Sequence, residues 1–553
     1  MIAGSPSSSA CWQFPLPAGI SFAPPIEVMA RFPTSIAPAG SGRDGRVIGG
    51  RAPGVVPAGR SIATWIRESI DMTAVEFRSN LKETTGRFPH FWEHTVGSGH
   101  AAMALRADWQ SQLERCHREL GFRHVRFHAL LSDDMGTLVD EKNELRYSFF
   151  NADQIWDFLL SIGMKPFVEL SFMPSAIASG DTTVFHYRSN VTPPKDFRQW
   201  KTLIRKLVTH WIERYGVEEV RTWFFEVWNE PNMTAFWPST RGQYFELYRH
   251  TVETIKEIDD RLQVGGPATA KDEWIAEFLD FCDLNRLPID FVSTHHYPTD
   301  ALGSAEDDTE SQLAASQRSL LRELAQDTRR KCRGLPLYYT EWNTSSNPRD
   351  DLHDAPYAAA AIVKTVMEAH GLVDGYSFWT FSDIFAEDFF PAQPFQGGFG
   401  LLTLQGIAKP AYRAFQLLHQ LGHEKCLVDG MHETVDAWVC RKPRGATVLL
   451  SNHALPRHPI DAELCHVELT GAPRPQRVRV ERIDEAHANA RQSWVEMGKP
   501  QFPNQREVET LAAASALNRD DQAWTGQDQS VVFDLVLPPH AVAAVSLEFA
   551  EER

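Results

Sequence analysis

The sequence predicts an α/β protein, a (β/α)8 TIM barrel with an appended β-sandwich, and three observations carry that reading. Eight short β-rich runs alternate with helical patterns through the centre of the chain. After about residue 425 helical periodicity gives way to short alternating strands. The 553 residues also exceed what one hydrophobic core fills. The runs are RHVRFHAL, ELRYSFF, KPFVELSFM, WFFEVWNE, LQVGGPA, IDFVSTHHY, LPLYYTEWN and DGYSFWTFS. A doubly wound sheet is the rival arrangement. It would normally carry a glycine-rich phosphate turn after an early strand, and the sequence has none.

Residues 1–72 are rich in Pro, Gly, Ser and Ala, as in APAGSGRDG and GGRAPGVVPAG, and are expected to be a low-complexity, disordered segment. Order is expected from the strand-like run that begins at Thr73. VGSGHAAMAL reads as a loop opening the helix ADWQSQLERCHREL, where Trp109, Leu113, Cys116 and Leu120 fall at helical spacing and Gly121 ends it. NADQIWDFLLSIG is a second helix. In PKDFRQWKTLIRKLVTHWIERYG, Phe197, Trp200, Ile204, Leu207, Val208 and Trp211 form one face. APYAAAAIVKTVMEAHG is expected to start with Asp354 as N-cap and Pro356 in its first turn. The catalytic barrel is therefore placed at 73–424, with its first residues open to pairing with the sandwich. The accessory β-sandwich is placed at 425–553, interrupted by a helical excursion between QRVRVERID and SVVFDLVL.

Composition bounds the function classes. Hydrophobic residues make up 43% and charged residues 23%, ordinary values for a globular enzyme. A formal net charge of −17 argues against nucleic acid as a partner. The seven cysteines (Cys11, Cys116, Cys282, Cys332, Cys426, Cys440, Cys465) form no CxxC pair, so reduced, buried thiols are expected rather than disulfides or a zinc site. No apolar run is long enough to span a membrane. The first residues lack the basic start and apolar run of a secretory signal, which makes the cytoplasm the expected location. No metal, nucleotide or redox cofactor is expected, and the end of the chain soon after its last strand (VSLEFAEER) favours a monomer.

Hydrolysis of a glycosidic bond needs two carboxyl groups flanking one sugar ring, and a barrel offers such groups at the C-terminal ends of its strands. Glu230 in FFEVWNEPN follows the fourth run and Glu341 in LYYTEWNTS the seventh. Strand-end acids are commonly just solvated. These two lie inside aromatic-dense segments where an idle charge is costly, and Asn229 places a donor amide beside Glu230. Physics alone leaves an idle pair and a catalytic pair about equally supported.

WNEPN after the fourth strand with TEWN after the seventh resembles clan A of the retaining glycoside hydrolases. More narrowly, VGSGHAA, FRHVRFHALLSDDMGTL, ELSFMPSAIASG, NVTPPKDF, FEVWNEPN, VGGPA, TEWNTS, FWTFSDIF and GGFGLL resemble glycoside hydrolase family 39, in its β-xylosidase branch. The resemblance runs from about Phe77 to the C-terminus. It implies Glu230 as acid/base and Glu341 as nucleophile in a retaining exo-glycosidase acting on xylo-oligosaccharides or another small glycoside. It further implies that Asn229 bonds the sugar 2-hydroxyl, that His128, at the end of strand one, binds the glycone, and that His295 and Tyr297 line the subsite. Tyr297 would also hold the nucleophile's second oxygen. Trp379 would form a platform under the sugar, Glu387 would bind hydroxyls, and Phe185 would form a wall. Plain alternatives stand beside these: Trp379 as core and Glu387 as a solvated loop acid. His296 beside His295 invites a metal reading, but adjacent strand residues face opposite ways. Within the family an α-L-iduronidase or β-glucosidase activity is the alternative. An iduronate pocket would need a cation, for which Lys271 is the candidate. A non-catalytic sugar-binding barrel would have lost one carboxylate, and both are present.

Overall fold

The computed structural model describes residues 73–300, 308–387, 390–527 and 529–550. The low-complexity segment expected over 1–72 lies outside the described residues. Eight parallel strands close into a barrel: Thr95–His100, His124–His128, Lys165–Leu170, Phe224–Val227, Gln263–Thr269, Phe291–His296, Leu337–Trp342 and Gly375–Phe378.

Two of the expected strands change places. Glu144–Tyr147 of ELRYSFF does not enter the barrel; it pairs antiparallel with Leu138–Glu141 as a largely exposed hairpin. Thr95–His100, expected to be a loop, is instead the first barrel strand. Its glycines hid it, because glycine is depleted in strands. Gly97 is there for space: a Cβ on it would lie 2.6 Å from Cε3 of Trp379. The two changes cancel in the count, so WFFEVWNE still supplies strand four and LPLYYTEWN strand seven. His128 ends strand two rather than strand one.

The helices follow their sequence patterns closely. Ala107–Leu120 buries Trp109, Leu113, Cys116 and Leu120 and ends at Gly121, whose left-handed φ of 77° lets its N–H bond back to the helix. Phe197–Tyr215 is capped by Asp196, whose side chain accepts from the Arg198 N–H. Pro356–Glu368 does open with proline, but Asp354 is not its cap; Ala355 occupies that position. Asp354 instead sits 2.7 Å from the fully buried ammonium of Lys409, which is also 2.7 Å from Asp383. A buried ammonium requires such carboxylate partners.

The accessory region forms two sheets. Val75–Asn80 pairs parallel with Glu463–Thr470, which pairs antiparallel with Ser530–Leu537. The second sheet is built from Thr84–Arg87, Glu424–Cys426, Val435–Lys442, Gly445–Asn452, Val542–Phe549, Pro475–Ile483 and Asp520–Asp521. Alternate residues of Ser530–Leu537 (Val531, Phe533, Leu535, Leu537) are buried against the facing sheet. The helical excursion consists of Ala490–Glu496 and Gln505–Ala514. Buried Lys364, on a barrel helix, bonds Glu368 at 2.6 Å and reaches Asp436 of the sandwich at 3.3 Å. The six described cysteines are buried free thiols. No helix among the described residues is long and apolar enough to cross a membrane.

Candidate active site

Alternate residues of each barrel strand face the lumen. Phe167 and Phe224 are register neighbours, and so are Glu169 and Glu226 two residues further along. The lumen thus passes from aromatic to ionic within one strand repeat. Arg126, fully buried on the second strand, collects the charges. Its Nε donates to Glu226 at 2.5 Å, its Nη1 to Glu341 Oε1 at 2.8 Å and its Nη2 to Asn229 Oδ1 at 2.9 Å. The same Nη2 lies 2.8 Å from Glu169. A guanidinium fork can satisfy several acceptors in one plane, which a lysine could not.

Glu341 is held at both oxygens, since the Tyr297 hydroxyl donates to Oε2 at 2.9 Å while Arg126 donates to Oε1. Glu230 stands across from it on a strained turn, with φ of +43° at Glu230 and +74° at Trp228. Its N–H is fixed to the Ala268 carbonyl at 2.8 Å. Burial pushes the Glu230 carboxyl up to about 7, against the opposing pull of His128 and Arg126.

The chain of hydrogen bonds from Glu226 through Thr340 and His295 places a proton on Glu230. Glu226, paired with Arg126, can only accept, so the Thr340 hydroxyl donates to it at 2.8 Å. Thr340 then accepts from Nε2 of His295 at 3.1 Å. Burial holds His295 neutral, down to about 4, against the pull of Glu341. Its Nδ1 is therefore a lone pair, and it faces Glu230 Oε1 at 2.9 Å. Only a protonated Glu230 makes that contact favourable. The ligating atoms of Glu230, His295 and Glu341 lie within 4.8 Å of one another. The two carboxyls are thus close enough to work on one anomeric carbon, as retention requires.

The sugar-facing candidates gather around His128. Its Nδ1 bonds Glu169 at 2.8 Å, and its Nε2 is 3.6 Å from Glu341 and 3.8 Å from Glu387. Burial works against its charge, but Glu169 and Glu341 together overcome burial and lift His128 to about 9. The Trp379 ring lies 4.7 Å from the His128 ring and the Phe185 ring 6.4 Å from it. Phe185 also packs against Phe236 at 5.6 Å. All nine residues singled out from the sequence therefore converge on one end of the barrel. His296, facing the other way as expected, bonds the Tyr376 hydroxyl at 2.8 Å. Lys271 pairs with Asp300 at 2.9 Å on the exposed rim.

Arg126, Glu169, Glu226 and Thr340 were not singled out from the sequence. For the three charged residues the signal lies in RHVRFHAL, KPFVELSFM and WFFEVWNE, each with a charge in mid-strand among aromatic residues, while nothing in LPLYYTEWN marks Thr340. A charge there needs an opposite partner on a neighbouring strand.

The family described as "Glycosyl hydrolases family 39" matches residues 75–527. A β-xylosidase of Caldicellulosiruptor saccharolyticus is 48% identical over 475 residues, 85% of this chain and 97% of that protein. A β-xylosidase of Geobacillus stearothermophilus is 38% identical over 501 residues, 86% of this chain and 96% of that protein. The crystal structure of a monomeric β-xylosidase from Caulobacter crescentus CB15 superposes with a TM-score of 0.76 at 34% identity, covering 86% of this chain and all (100%) of that one. The chain belongs to glycosyl hydrolase family 39.

Proposed function

We propose that the chain is a β-xylosidase, a retaining exo-glycosidase that releases terminal β-D-xylose from xylo-oligosaccharides by double displacement. The observation that carries this is the polarised carboxyl pair, with Glu341 held by two donors and Glu230 facing a bare imidazole nitrogen. Glu341 attacks the anomeric carbon while Glu230 protonates the departing oxygen, leaving a glycosyl ester on Glu341. Ester formation removes one negative charge from beside Glu230, which favours its ionised form, and Glu230 then takes a proton from water as that water attacks the ester. Asn229, its Oδ1 bonded to Arg126, turns its N–H2 to the 2-hydroxyl. His128 and Glu387 bind the outer hydroxyls, Trp379 underlies the ring, and Phe185 closes one side.

The β-xylosidases similar over most of the chain support xylose as the glycone. Among the described residues the candidate cations for an iduronate carboxylate are already paired: Arg126 with three carboxylates, His128 with Glu169 and Lys271 with Asp300. The monomeric Caulobacter β-xylosidase supports a monomer. The test is Glu341→Ala. We expect a loss of about 10⁴-fold or more in turnover of p-nitrophenyl β-xyloside, with azide restoring product of inverted configuration. Normal turnover in that variant would sink the reading. Faster turnover by the native protein of a β-glucoside or an iduronide than of the xyloside would move it to that activity.

A further inference from the structure

A second group of metal-ligating side chains lies at the opposite end of the barrel. His90 and Glu93 precede the first barrel strand, within and beside the single turn Phe91–Glu93. His419 is the last residue of the helix Pro410–His419, which follows the eighth strand. Nδ1 of His90 lies 2.7 Å from Glu93 Oε1, and Nδ1 of His419 lies 2.8 Å from the same oxygen. The three ligand atoms fall within 4.8 Å of one another.

Two further features distinguish this group from an ordinary hydrogen-bonded cluster. The Glu93 side chain is only 13% exposed, and among the described residues its ion-pair partners are these two histidines, without a lysine or arginine. Gly121 also leaves a cradle beside the ligands: a Cβ there would lie 2.6 Å from His419 Nδ1 and 2.9 Å from the Glu93 carboxyl carbon. The catalytic trio is different, because Arg126 and Tyr297 already occupy both oxygens of Glu341.

We propose that His90, Glu93 and His419 bind a divalent transition-metal ion, zinc by ligand type, as a structural staple. Tetrahedral zinc at about 2.0–2.2 Å from each donor requires donor separations near 3.3 Å, so the group must open by about half an ångström. His419, at 39% exposed, can supply that movement and gives the ion an entry path. Each imidazole moves its proton from Nδ1 to Nε2, and water fills the fourth position. The staple would join the first and last elements of the barrel, 326 residues apart at Glu93 and His419. It lies near the seam where strands eight and one meet at the single register pair Phe378 and Val96.

The test compares metal-stripped wild type, His419→Gln and Glu341→Gln, the last as a control for metal in the catalytic cleft. Wild type and Glu341→Gln should each bind one zinc equivalent more than His419→Gln. Their Tm should rise by about 2–5 °C at saturating zinc. Cobalt should give the visible bands of a four-coordinate site in both. His419→Gln should show neither response while keeping wild-type turnover. Equal zinc uptake by wild type and His419→Gln, an unchanged Tm, or the absence of four-coordinate cobalt bands from wild type overturns the proposal.

Discussion

At the N-terminal mouth of the barrel Phe167, Phe224, Phe291 and Tyr338 fill the lumen with rings. Two residues further along the same strands, Glu169, Glu226 and Thr340 fill it with charge and hydrogen bonds around Arg126. The backbone register is shared, and Phe224 stands to Phe167 as Glu226 stands to Glu169. The aromatic layer gains stability from burial and can adapt to small changes in shape. The ionic layer gains function from fixed polarity, and its partners cannot be removed singly. A barrel can therefore place a polar reaction site directly on an apolar plug without a polar gap between them.

The ionic layer depends most on Arg126. Removing a fully buried guanidinium leaves Glu226 without its cation and Glu169 with His128 alone, a change that costs about 3–5 kcal/mol when one partner of a buried pair is lost. Arg126→Gln should therefore lower the unfolding midpoint in urea and also abolish most turnover, because Glu341 and Asn229 lose the same donor. A variant as stable as wild type would mean that one of the buried carboxyls is already protonated.

Glu230→Gln tests the polarity of the ionic layer without removing a charge partner. General acid–base groups contribute about 10²–10⁴-fold, so kcat/KM on xylobiose should fall by that factor. The pH profile carries the sign. The first step needs protonated Glu230, whose carboxyl is raised to about 7, so the active form prevails below that pH and is lost above it. Wild-type kcat/KM should fall about tenfold per pH unit above 7, and Glu230→Gln should lack that descending limb. A limb that persists in the variant would assign the titration elsewhere, with His128 the first group to examine.

These two layers also explain what could be read from the sequence and what could not. Glu230 and Glu341 were legible because turn residues follow each strand end and because the surrounding motifs resemble one family. Arg126 was not, since its partners come from three other strands and nothing local to RHVRFHAL names them. The barrel was legible from alternation, but its first strand was not. TVGSGH has small residues where the Trp379 and Phe385 rings press in, so tertiary packing rather than strand propensity chose its glycines. Asp354 shows the same limit: its position suits a cap, yet Lys409, 55 residues on, claims it.

The smallest expected effect lies in the aromatic layer. The Phe224 ring sits 5.2 Å from Phe167, 5.6 Å from Phe291, 5.2 Å from Tyr338 and 5.0 Å from His94. Phe224→Leu keeps an apolar side chain there but loses ring contacts and leaves a small void, which costs about 1–2 kcal/mol. Urea denaturation should register that loss while kcat per folded molecule stays within about twofold of wild type. The reason is geometric: Glu226 shares the strand, but its position is set by Arg126 and Thr340, not by the ring beneath it. If kcat instead falls tenfold, the plug is transmitting its packing to the ionic layer through the backbone, and the two layers are one mechanical unit rather than two.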